Sequence, residues 1–484
     1  MKKILIILAA VFLASCSDNL EKLNQNIKDP ATVSGESLFT GAQKSLVDQV
    51  VDLNVNNNNT KLWAQYLQET TYTDESNYDQ ITRTIPKSHW DVLYRDVLKD
   101  LDESKKIITE TTYALPSEQA TKANKLVVNE ILTVYTYALL VETFGNVPYT
   151  EALDINNLLP KYDDGLTVYK DLIVRLTTAI NALDTSKGSF DSSSDYLYHG
   201  DTNSWKKFAN SLKLRMGILL SDVDNGLAKS TVEDAVTSGV FTSNADNATY
   251  EYLSAAPNTN PIHDNLILSG RRDFVAGKTI IDMMNSLGDY RRAQYFTEIS
   301  GGGYLGGTIG STSSYAGHSH VSAVVEEATT PGVLLDYAEV EFLLAEAAAR
   351  TFAVGGTAKS HYDSGIKASF ADWGASSTDA TSYLAQPNVD YATVLGASTA
   401  TTPWKEVIGN QKWIALYNRG LEAWTSIRLL DFPTMATPTD AVSGYPNRYT
   451  YPVIEQTLNG ANYNTAASAI GADTAEQKLF WDMF

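Results

Sequence analysis

Residues 205–215 read WKKFANSLKLR and predict the helical character of this chain. Trp205, Phe208 and Leu212 recur at intervals of three and four, and the apolar stripe continues to residue 219. This spacing places the apolar side chains on one face of an α-helix. We therefore expect a helix of several turns that buries one face.

The same helical spacing recurs along much of the chain and predicts helices that lie in neighbouring pairs. Examples are residues 90–108 with 122–142, and residues 336–350 with 360–370. Residues 166–183 form a further stripe of this kind. Paired helices are the unit of helical-repeat architectures, but the sequence shows no strict period. The prediction is a mainly α fold with tetratricopeptide-like packing.

Residues 410–428 predict a last long helix that carries three aromatic side chains. Trp413, Tyr417 and Trp424 recur at helical spacing. Aromatic rings in such a stripe are more often core than ligand platform, so we expect them to be buried.

Three segments break the helical pattern. Residues 241–335, 374–403 and 432–470 are rich in Gly, Ser, Thr, Asn and Pro, and show no long helical stripe. They predict long loops inserted into one helical domain over residues 37–484. Long loops in a compact protein are commonly functional.

The N-terminus predicts export. Two lysines precede an apolar run from Ile4 to Ala14, and this pattern is typical of a signal peptide over residues 1–15. The run is too short to span a bilayer, which takes about 20 residues. Leu13-Ala14-Ser15-Cys16 resembles a bacterial lipobox, which implies lipidation of Cys16 after cleavage. Residues 16–36 then predict a polar tether without periodicity.

Composition limits the class of partner. The net charge is −20, and loss of the leader lysines makes it more negative. Nucleic acids and anionic lipid surfaces both require a basic footprint, so neither is an expected partner. Cys16 is the only cysteine, so its lipidation leaves no thiol for disulfides, metals or catalysis. No second stretch approaches membrane-spanning length, so the membrane link is expected to come from the lipid.

Three patterns touch on cofactor and metal chemistry. Residues 301–306 satisfy GxGxxG, but the polar, glycine-rich continuation argues against a dinucleotide fold and predicts a loop. His318 and His320 could share a metal, but no third ligand is evident. Residues 222–226 resemble the start of a calcium loop with the wrong glycine phase, and predict a turn after a helix. No metal or cofactor is expected.

Glu339, Glu341 and Glu346 lie on the helix predicted at residues 336–350. Paired carboxylates can hydrolyse glycosides when they face each other across a cleft. Glu339 and Glu346 share a helical face and Glu341 is rotated away, so capping, ion pairing and solvation explain them better. The sequence therefore predicts no enzyme.

An ordered set of segments resembles the SusD/RagB family, specifically its SusD-like group. The set spans almost the whole mature chain and agrees with the lipobox. It comprises FGNVPYTEAL at 144–153, the stretch at 205–215, YAEVEFLLAEA at 337–347, QKWIALY at 411–417 with EAW at 422–424, and RYTYP at 448–452 with Glu455 and Asn459.

The resemblance implies a mainly α fold with four tetratricopeptide-like helix pairs and a binding face made of long loops. It also implies a lipoprotein of the outer membrane that faces the cell exterior. Such a protein captures oligosaccharide, or sometimes oligopeptide, and passes it to a SusC-like TonB-dependent transporter. The motif residues are mostly structural, with Asn210 and Arg215 expected to tie loops by hydrogen bonds.

The resemblance implies a ligand pocket made by a loop after the first long helix and by loops in the middle of the chain, which gives two candidate regions here. In the first, aromatic side chains alternate with amides and acids, which suits ring stacking and pairing with sugar hydroxyls. Arginine would suit carboxylates of acidic sugars or of peptide termini. Neither region has an obvious pair of tryptophans, which puts a starch-type ligand in doubt. The residues are Tyr72, Asp74, Asn77 and Tyr78 in the first region, and Arg271, Arg272, Tyr304 and Tyr315 in the second.

Two other classes of function stay open. A surface glycosidase or peptidase would need facing carboxylates or a metal set. A structural lipoprotein would bind the transporter without binding a ligand.

Overall fold

A computed structural model describes residues 33–112 and 114–484 of the chain. The predicted signal peptide, Cys16 and most of the predicted tether lie outside the described residues. The first described helix begins at Gly35, two residues before the expected start of the helical domain.

Four pairs of contacting helices form the frame, as expected of a tetratricopeptide-like fold. The helix Lys99–Glu110 continues a shorter helix, Ile85–Asp91, through a π-helical segment, Val92–Leu98. In chain order the pairs are α1 (Gly35–Val51) with α2 (Lys99–Glu110), α3 (Pro116–Phe144) with α4 (Gly165–Ala182), α5 (Thr202–Leu219) with α6 (Asn225–Ser238), and α7 (Tyr337–Ala349) with α8 (Ala358–Asp372).

Side-chain caps fix where many of these helices begin. A short polar side chain accepts a hydrogen bond from a backbone N–H of the first turn, which otherwise has no partner. Ser34 caps α1, Asp164 caps α4, Asp201 caps α5, and Asp336 caps α7. Asp224 caps α6, so the segment that resembled a calcium loop is the turn between two helices.

The prediction of one continuous helix over residues 410–428 is wrong, because the structure has two helices there. The chain forms α9 (Pro403–Ala415) and α10 (Gly420–Leu430), with Asn418 between them at φ +69°. A Cβ on Gly420 would lie 2.6 Å from the Lys61 backbone nitrogen, so the chain turns where it meets another segment. Trp413, Tyr417 and Trp424 are all buried, which confirms their role in the core.

The prediction of a loop over residues 374–403 is also wrong. This segment contains two helices, Ser377–Leu384 and Tyr391–Ala397. The segment at 432–470 ends in a helix, Gly460–Ala469. The segment at 241–335 is irregular around one longer helix, Lys278–Leu287. These helices are short and contain Gly, Ser, Thr and Asn, so packing rather than intrinsic propensity stabilises them.

Four short strands in the described part of the chain form two antiparallel pairs. Strand β1 (Leu67–Glu69) pairs with β3 (Phe274–Ala276), and β2 (Ala248–Tyr250) pairs with β4 (Gly332–Leu335). The remaining short helical segments are Thr60–Trp63, Asn244–Asp246, Pro261–His263, Asp264–Leu268, Arg292–Tyr295, Tyr315–Gly317, Ala323–Glu326 and Glu455–Leu458.

Helix α3 is the one element of the described chain that is long and apolar enough to span a membrane. Its mean hydropathy reaches 1.3, so the expectation that no further stretch would approach this length and composition is wrong. However, 78% of that apolar window is buried within the protein, as in the central helix of a core.

A buried ion network joins α5, α7 and α10. Arg215 donates from Nε to Glu339 Oε1 at 2.8 Å and from Nη1 to Glu422 Oε1 at 2.8 Å. Arg419 donates to Glu339 Oε2 at 2.6 Å and to Asp336 Oδ2 at 2.9 Å. Burial alone would raise the pKa of Glu339, but the charges of Arg215 and Arg419 outweigh it and lower that pKa to about 2.

The three glutamates of α7 are therefore structural. Glu346 pairs with Arg350 at 3.0 Å, and Glu341 pairs with His361 at 2.7 Å. Ion pairing and capping account for these glutamates, as expected. Solvation does not account for them, because all three side chains are buried.

The expected ties from the 205–215 segment are present. Asn210 donates to the carbonyls of Ser238 and Gly239 at the end of α6. Arg215 also donates to the Leu334 carbonyl of β4 at 2.9 Å. These hydrogen bonds hold the end of α6 and strand β4 against one helix, α5.

The C-terminal RYTYP segment packs against the turn that follows α3 and is hydrogen-bonded to it. Arg448 is fully buried and donates to the Phe144 carbonyl at 3.1 Å, and the Tyr451 hydroxyl donates to the Asn146 carbonyl at 2.8 Å. Gly145 takes φ +87° at this turn. The motifs at 144–153 and 448–452 thus form one structural unit.

We predict that Glu339→Gln destabilises the protein by about 3–5 kcal/mol, because it leaves two buried guanidinium groups without their shared carboxylate. Chemical denaturation followed by circular dichroism measures this change.

Asp282→Asn is the control, because it removes an exposed pair of Asp282 with Lys278 on one helix turn. Its effect should stay within about 1 kcal/mol. Equal effects of the two variants would contradict the role of the network.

Candidate ligand-binding surface

Pairing of β1 with β3 brings the two predicted loop regions together. Glu69 lies opposite Phe274, so Thr70–Tyr72 leave the ladder beside Arg271–Asp273. The Thr70 backbone N–H donates to the Asp273 carbonyl at 2.8 Å, and its hydroxyl donates to the Arg272 carbonyl at 2.9 Å. Segments about 200 residues apart in sequence therefore form one surface.

The first part of this surface is a depression of about 150 Å³, here called the inner depression. Tyr72 stands at its edge with 73% of its surface exposed. Amide, hydroxyl and charged side chains alternate with a few apolar ones around it. Its lining comprises Leu53, Asn54, Val55, Asn56, Glu69, Thr70, Thr71, Tyr72, Arg83, Asn265, Arg271, Asp273 and Phe274.

The second part is wider and more open, about 450 Å³, and is here called the outer depression. It shares Thr70 and Thr71 with the inner depression. The Arg272 guanidinium lies 5.3 Å from the centre of the Tyr315 ring, and Tyr315 stacks on His320 at 4.2 Å. The other lining residues are hydroxyl-bearing: Thr312, Ser313 and Ser314.

Two buried carboxyl groups lie beneath the inner depression. Glu69 is hydrogen-bonded to Glu75, and the Ser76 backbone N–H donates to Glu69 Oε2 at 2.9 Å. Burial raises the pKa of Glu69 to about 9, and the hydrogen bond and charge of Glu75 add to the shift. Arg83 pairs with Glu75 at 2.5 Å. A carboxyl group with this pKa keeps its proton at neutral pH, so Glu69 is uncharged there.

Both arginines of the inner depression already have acidic partners. Arg83 pairs with Glu75, and Arg271 pairs with Asp273. With Glu69 neutral, the charges in this depression balance. An acidic ligand would have to displace a carboxylate of the protein to reach either guanidinium, so the charge balance favours an uncharged one.

The residues predicted in the first loop differ in their exposure. Tyr72 and Asp74 are exposed, whereas Asn77 and Tyr78 are buried and hold the loop in place. Asn77 donates to the Gly310 carbonyl at 2.9 Å, and Tyr78 packs edge-on against Tyr445. Asn77 and Tyr78 therefore line neither the inner nor the outer depression.

The residues predicted in the second region lie in different places on the surface. Arg271 lines the inner depression, while Arg272 and Tyr315 line the outer one. Tyr304 lines neither, because its ring packs under the Arg292 guanidinium at 4.4 Å.

Several lining residues were not predicted. Asn54, Asn56 and Asn265 supply amides, and Arg83 reaches the surface from a separate turn. The run of asparagines from Asn54 to Asn59 was a usable signal, because it follows directly on the first helix. Arg83 and Asn265 carried no such signal.

The remaining patterns have structural roles. Gly301, Gly302 and Gly303 all have positive φ and lie in a loop, which confirms the loop predicted there. The His318 ring contacts the Ser314 carbonyl, and His320 stacks on Tyr315. Within residues 33–112 and 114–484, no group of three His, Cys, Asp or Glu side chains could hold a metal ion.

Comparison with known proteins identifies the family. The sequence model of the SusD-like group, described as "Starch-binding associating with outer membrane", matches residues 26–452. The chain belongs to the SusD-like family. No curated protein matches it by sequence.

Solved structures share the SusD-like fold along nearly the full length. A SusD homologue from Bacteroides uniformis is 25% identical with a TM-score of 0.77, covering 92% of this chain and 99% of that one. A chitin-binding SusD homologue from Flavobacterium johnsoniae is 25% identical with a TM-score of 0.76, covering 93% and 97%. The mainly α, tetratricopeptide-like fold is thus confirmed.

We predict that unfolding free energy falls as the pH rises from about 4.5 to about 9. Folded Glu69 keeps its proton over this window, whereas an unfolded glutamate has lost it. The stabilisation is complete below the pKa that Glu69 has in the unfolded chain. It is lost as the pH rises through the pKa that Glu69 has in the folded protein. One such proton gives a slope of about 1.4 kcal/mol per pH unit at most.

Denaturation midpoints at pH 5, 7 and 8.5 measure this slope, and Glu69→Gln should reduce it. Glu327→Gln, at an exposed site, is the control and should keep the wild-type slope. Equal slopes in the wild type and Glu69→Gln would contradict the assignment.

Proposed function

We propose that this SusD-like protein captures oligosaccharides on the inner and outer depressions and passes them to a SusC-like TonB-dependent transporter. The observation that carries the proposal is the pairing of β1 with β3, which assembles an open surface of hydroxyl, amide and aromatic groups. Such groups recognise sugars, because hydroxyls pair with amides while the apolar face of the ring packs on an aromatic side chain.

The shape and charge of the surface support a neutral glycan. The inner depression is small and charge-balanced, and the outer one is open enough to accept a chain passing across it. Tyr72 is the exposed ring of the inner depression, and Tyr315 is the aromatic ring of the outer one. No tryptophan lines either depression of the described chain, so contact would rest on these two tyrosines and on many hydrogen bonds.

The chitin-binding neighbour and the starch-binding description of the family both support a glycan ligand over a peptide. The proposed activity is binding without bond cleavage. The three glutamates of α7, which were the candidate catalytic carboxylates, are buried and held by arginine, histidine or tyrosine partners.

We predict that Tyr72→Ala weakens binding of the best oligosaccharide about tenfold, the cost of removing one well-placed aromatic contact. Calorimetry against chito-, malto- and xylo-oligosaccharides and a peptide panel identifies the ligand and measures the change.

Tyr290→Ala is the matched control, because Tyr290 is 53% exposed and lines neither depression. Unchanged affinity in Tyr72→Ala would move the site elsewhere. Absence of binding to the whole panel would instead favour the structural lipoprotein.

An apolar patch supports the transporter as partner. Ile155 and Leu158 expose 83% and 79% of their surface, and Leu159 and Leu458 also stand out. The loop and the neighbouring helix are tied together, because Asn459 donates to the Pro160 carbonyl at 2.8 Å. Exposed aliphatic patches of this kind commonly mark protein interfaces. We propose that this patch lies against the transporter.

We further propose that lipid on Cys16 holds the protein at the outer membrane, facing outward, with residues up to the start of α1 as a tether. A family described as associating with the outer membrane supports this arrangement. The lipid keeps the protein beside its transporter even when the two are apart.

We predict that Leu158→Asp lowers co-purification of the protein with the transporter at least about tenfold, because a buried unpaired charge opposes docking. The experiment uses the Cys16→Ser form, so that a shared membrane cannot cause co-purification.

Val442→Asp, at a 68% exposed site outside the patch, controls for the added charge. Oligosaccharide affinity should be the same in both variants. Undiminished co-purification of Leu158→Asp would exclude this patch as the docking surface.

A further inference from the structure

A second pocket opens where the chain breaks between α9 and α10, and it shares no lining residue with the inner or outer depression. We call it the helix-break pocket. It encloses about 210 Å³ and is less open than the outer depression. Its lining comprises Val50, Val51, Thr249, Val324, Thr330, Pro331, Val333, Asp336, Asp372, Trp373, Ala415, Tyr417, Asn418 and Arg419.

The walls of this pocket are apolar and aromatic. Four valines and a proline surround the rings of Trp373 and Tyr417. Tyr417 is fixed from behind, because its hydroxyl donates to the Tyr295 carbonyl at 3.1 Å and its ring stacks on Tyr295 at 4.1 Å. A rigid apolar lining with a few polar groups is typical of a small-molecule site.

The pocket carries one uncompensated negative charge. Its charged lining groups are Asp336, Asp372 and Arg419. Arg419 is committed to Asp336 and Glu339, at 2.9 Å and 2.6 Å. Asp372 accepts one hydrogen bond, from the Asn247 amide at 3.1 Å, and has no cationic partner in the described chain. Its carboxyl group is accessible to water.

Asp372 lines the pocket and is itself an exposed residue. Partial loss of hydration raises the pKa of its carboxyl to about 6, and the charge of Asp336 adds to the rise while Arg419 opposes it. A cation placed in the pocket would relieve this unfavourable setting.

We propose that the helix-break pocket binds a small primary amine with an apolar or aromatic body, whose ammonium group pairs with Asp372 while the body packs on Trp373 and the valines. An ammonium beside an aromatic ring also gains from the electron-rich ring face. The pocket is smaller than most drug-sized sites, so the ligand is small. The proposal does not depend on the glycan function.

Calorimetry with phenethylamine and with its uncharged isostere 2-phenylethanol tests the proposal on the wild-type protein. The amine should bind at least about tenfold more tightly than the alcohol, as expected for a hydrogen bond to a charged group. Equal affinities, or no saturable binding of the amine, would overturn the proposal.

Asp372→Asn removes the charge and keeps an oxygen for the Asn247 amide, so the fold should be unaffected. This variant should lose the preference for the amine. Asp440→Asn, an exposed aspartate outside the pocket, is the matched control and should keep that preference. A preference that survives in Asp372→Asn, or that Asp440→Asn removes equally, would overturn the assignment to this pocket.

Discussion

The shared carboxylate of Glu339 is the constraint on which the frame depends. It accepts hydrogen bonds from Arg215 on α5 and from Arg419 at the start of α10, and both arginines also donate to the Leu334 carbonyl. Buried charges require such partners, because isolated ions lose several kcal/mol of hydration. The network therefore fixes the positions of elements more than 200 residues apart in sequence, and specifies one packing of the helix pairs.

This constraint also explains the break between α9 and α10. Arg419 can reach Asp336 and Glu339 only if the chain leaves the path of α9, and Gly420 allows the close approach to Lys61 that follows. The apolar spacing over residues 410–428 is continuous and contains no proline, so local pattern predicts one helix. Tertiary contacts outweigh local propensity here, and the resulting turn creates the helix-break pocket.

The frame was predictable from sequence, because amphipathic spacing reports burial directly. The helices around Trp205 and Phe342 follow their stripes almost to the residue. The short helices of residues 374–403 were not predictable, since their polar composition resembles that of a loop. The candidate site was predictable in part: Tyr72 and Tyr78 have the same residue type in the same loop, yet their exposures are 73% and 3%. Tertiary contacts, such as the packing of Tyr78 on Tyr445, decide which of the two rings is buried.

The buried members of that loop have a function of their own. Asn77 accepts a hydrogen bond from the Asp440 backbone N–H at 2.9 Å and donates to Gly310, so it joins the first loop to two later ones. Tyr78 and Tyr445 pack behind it. A surface held this way loses little conformational freedom when a ligand binds, and weak individual contacts then suffice for affinity. The buried residues of this loop therefore fix the position of Tyr72, the exposed ring of the proposed ligand-binding surface.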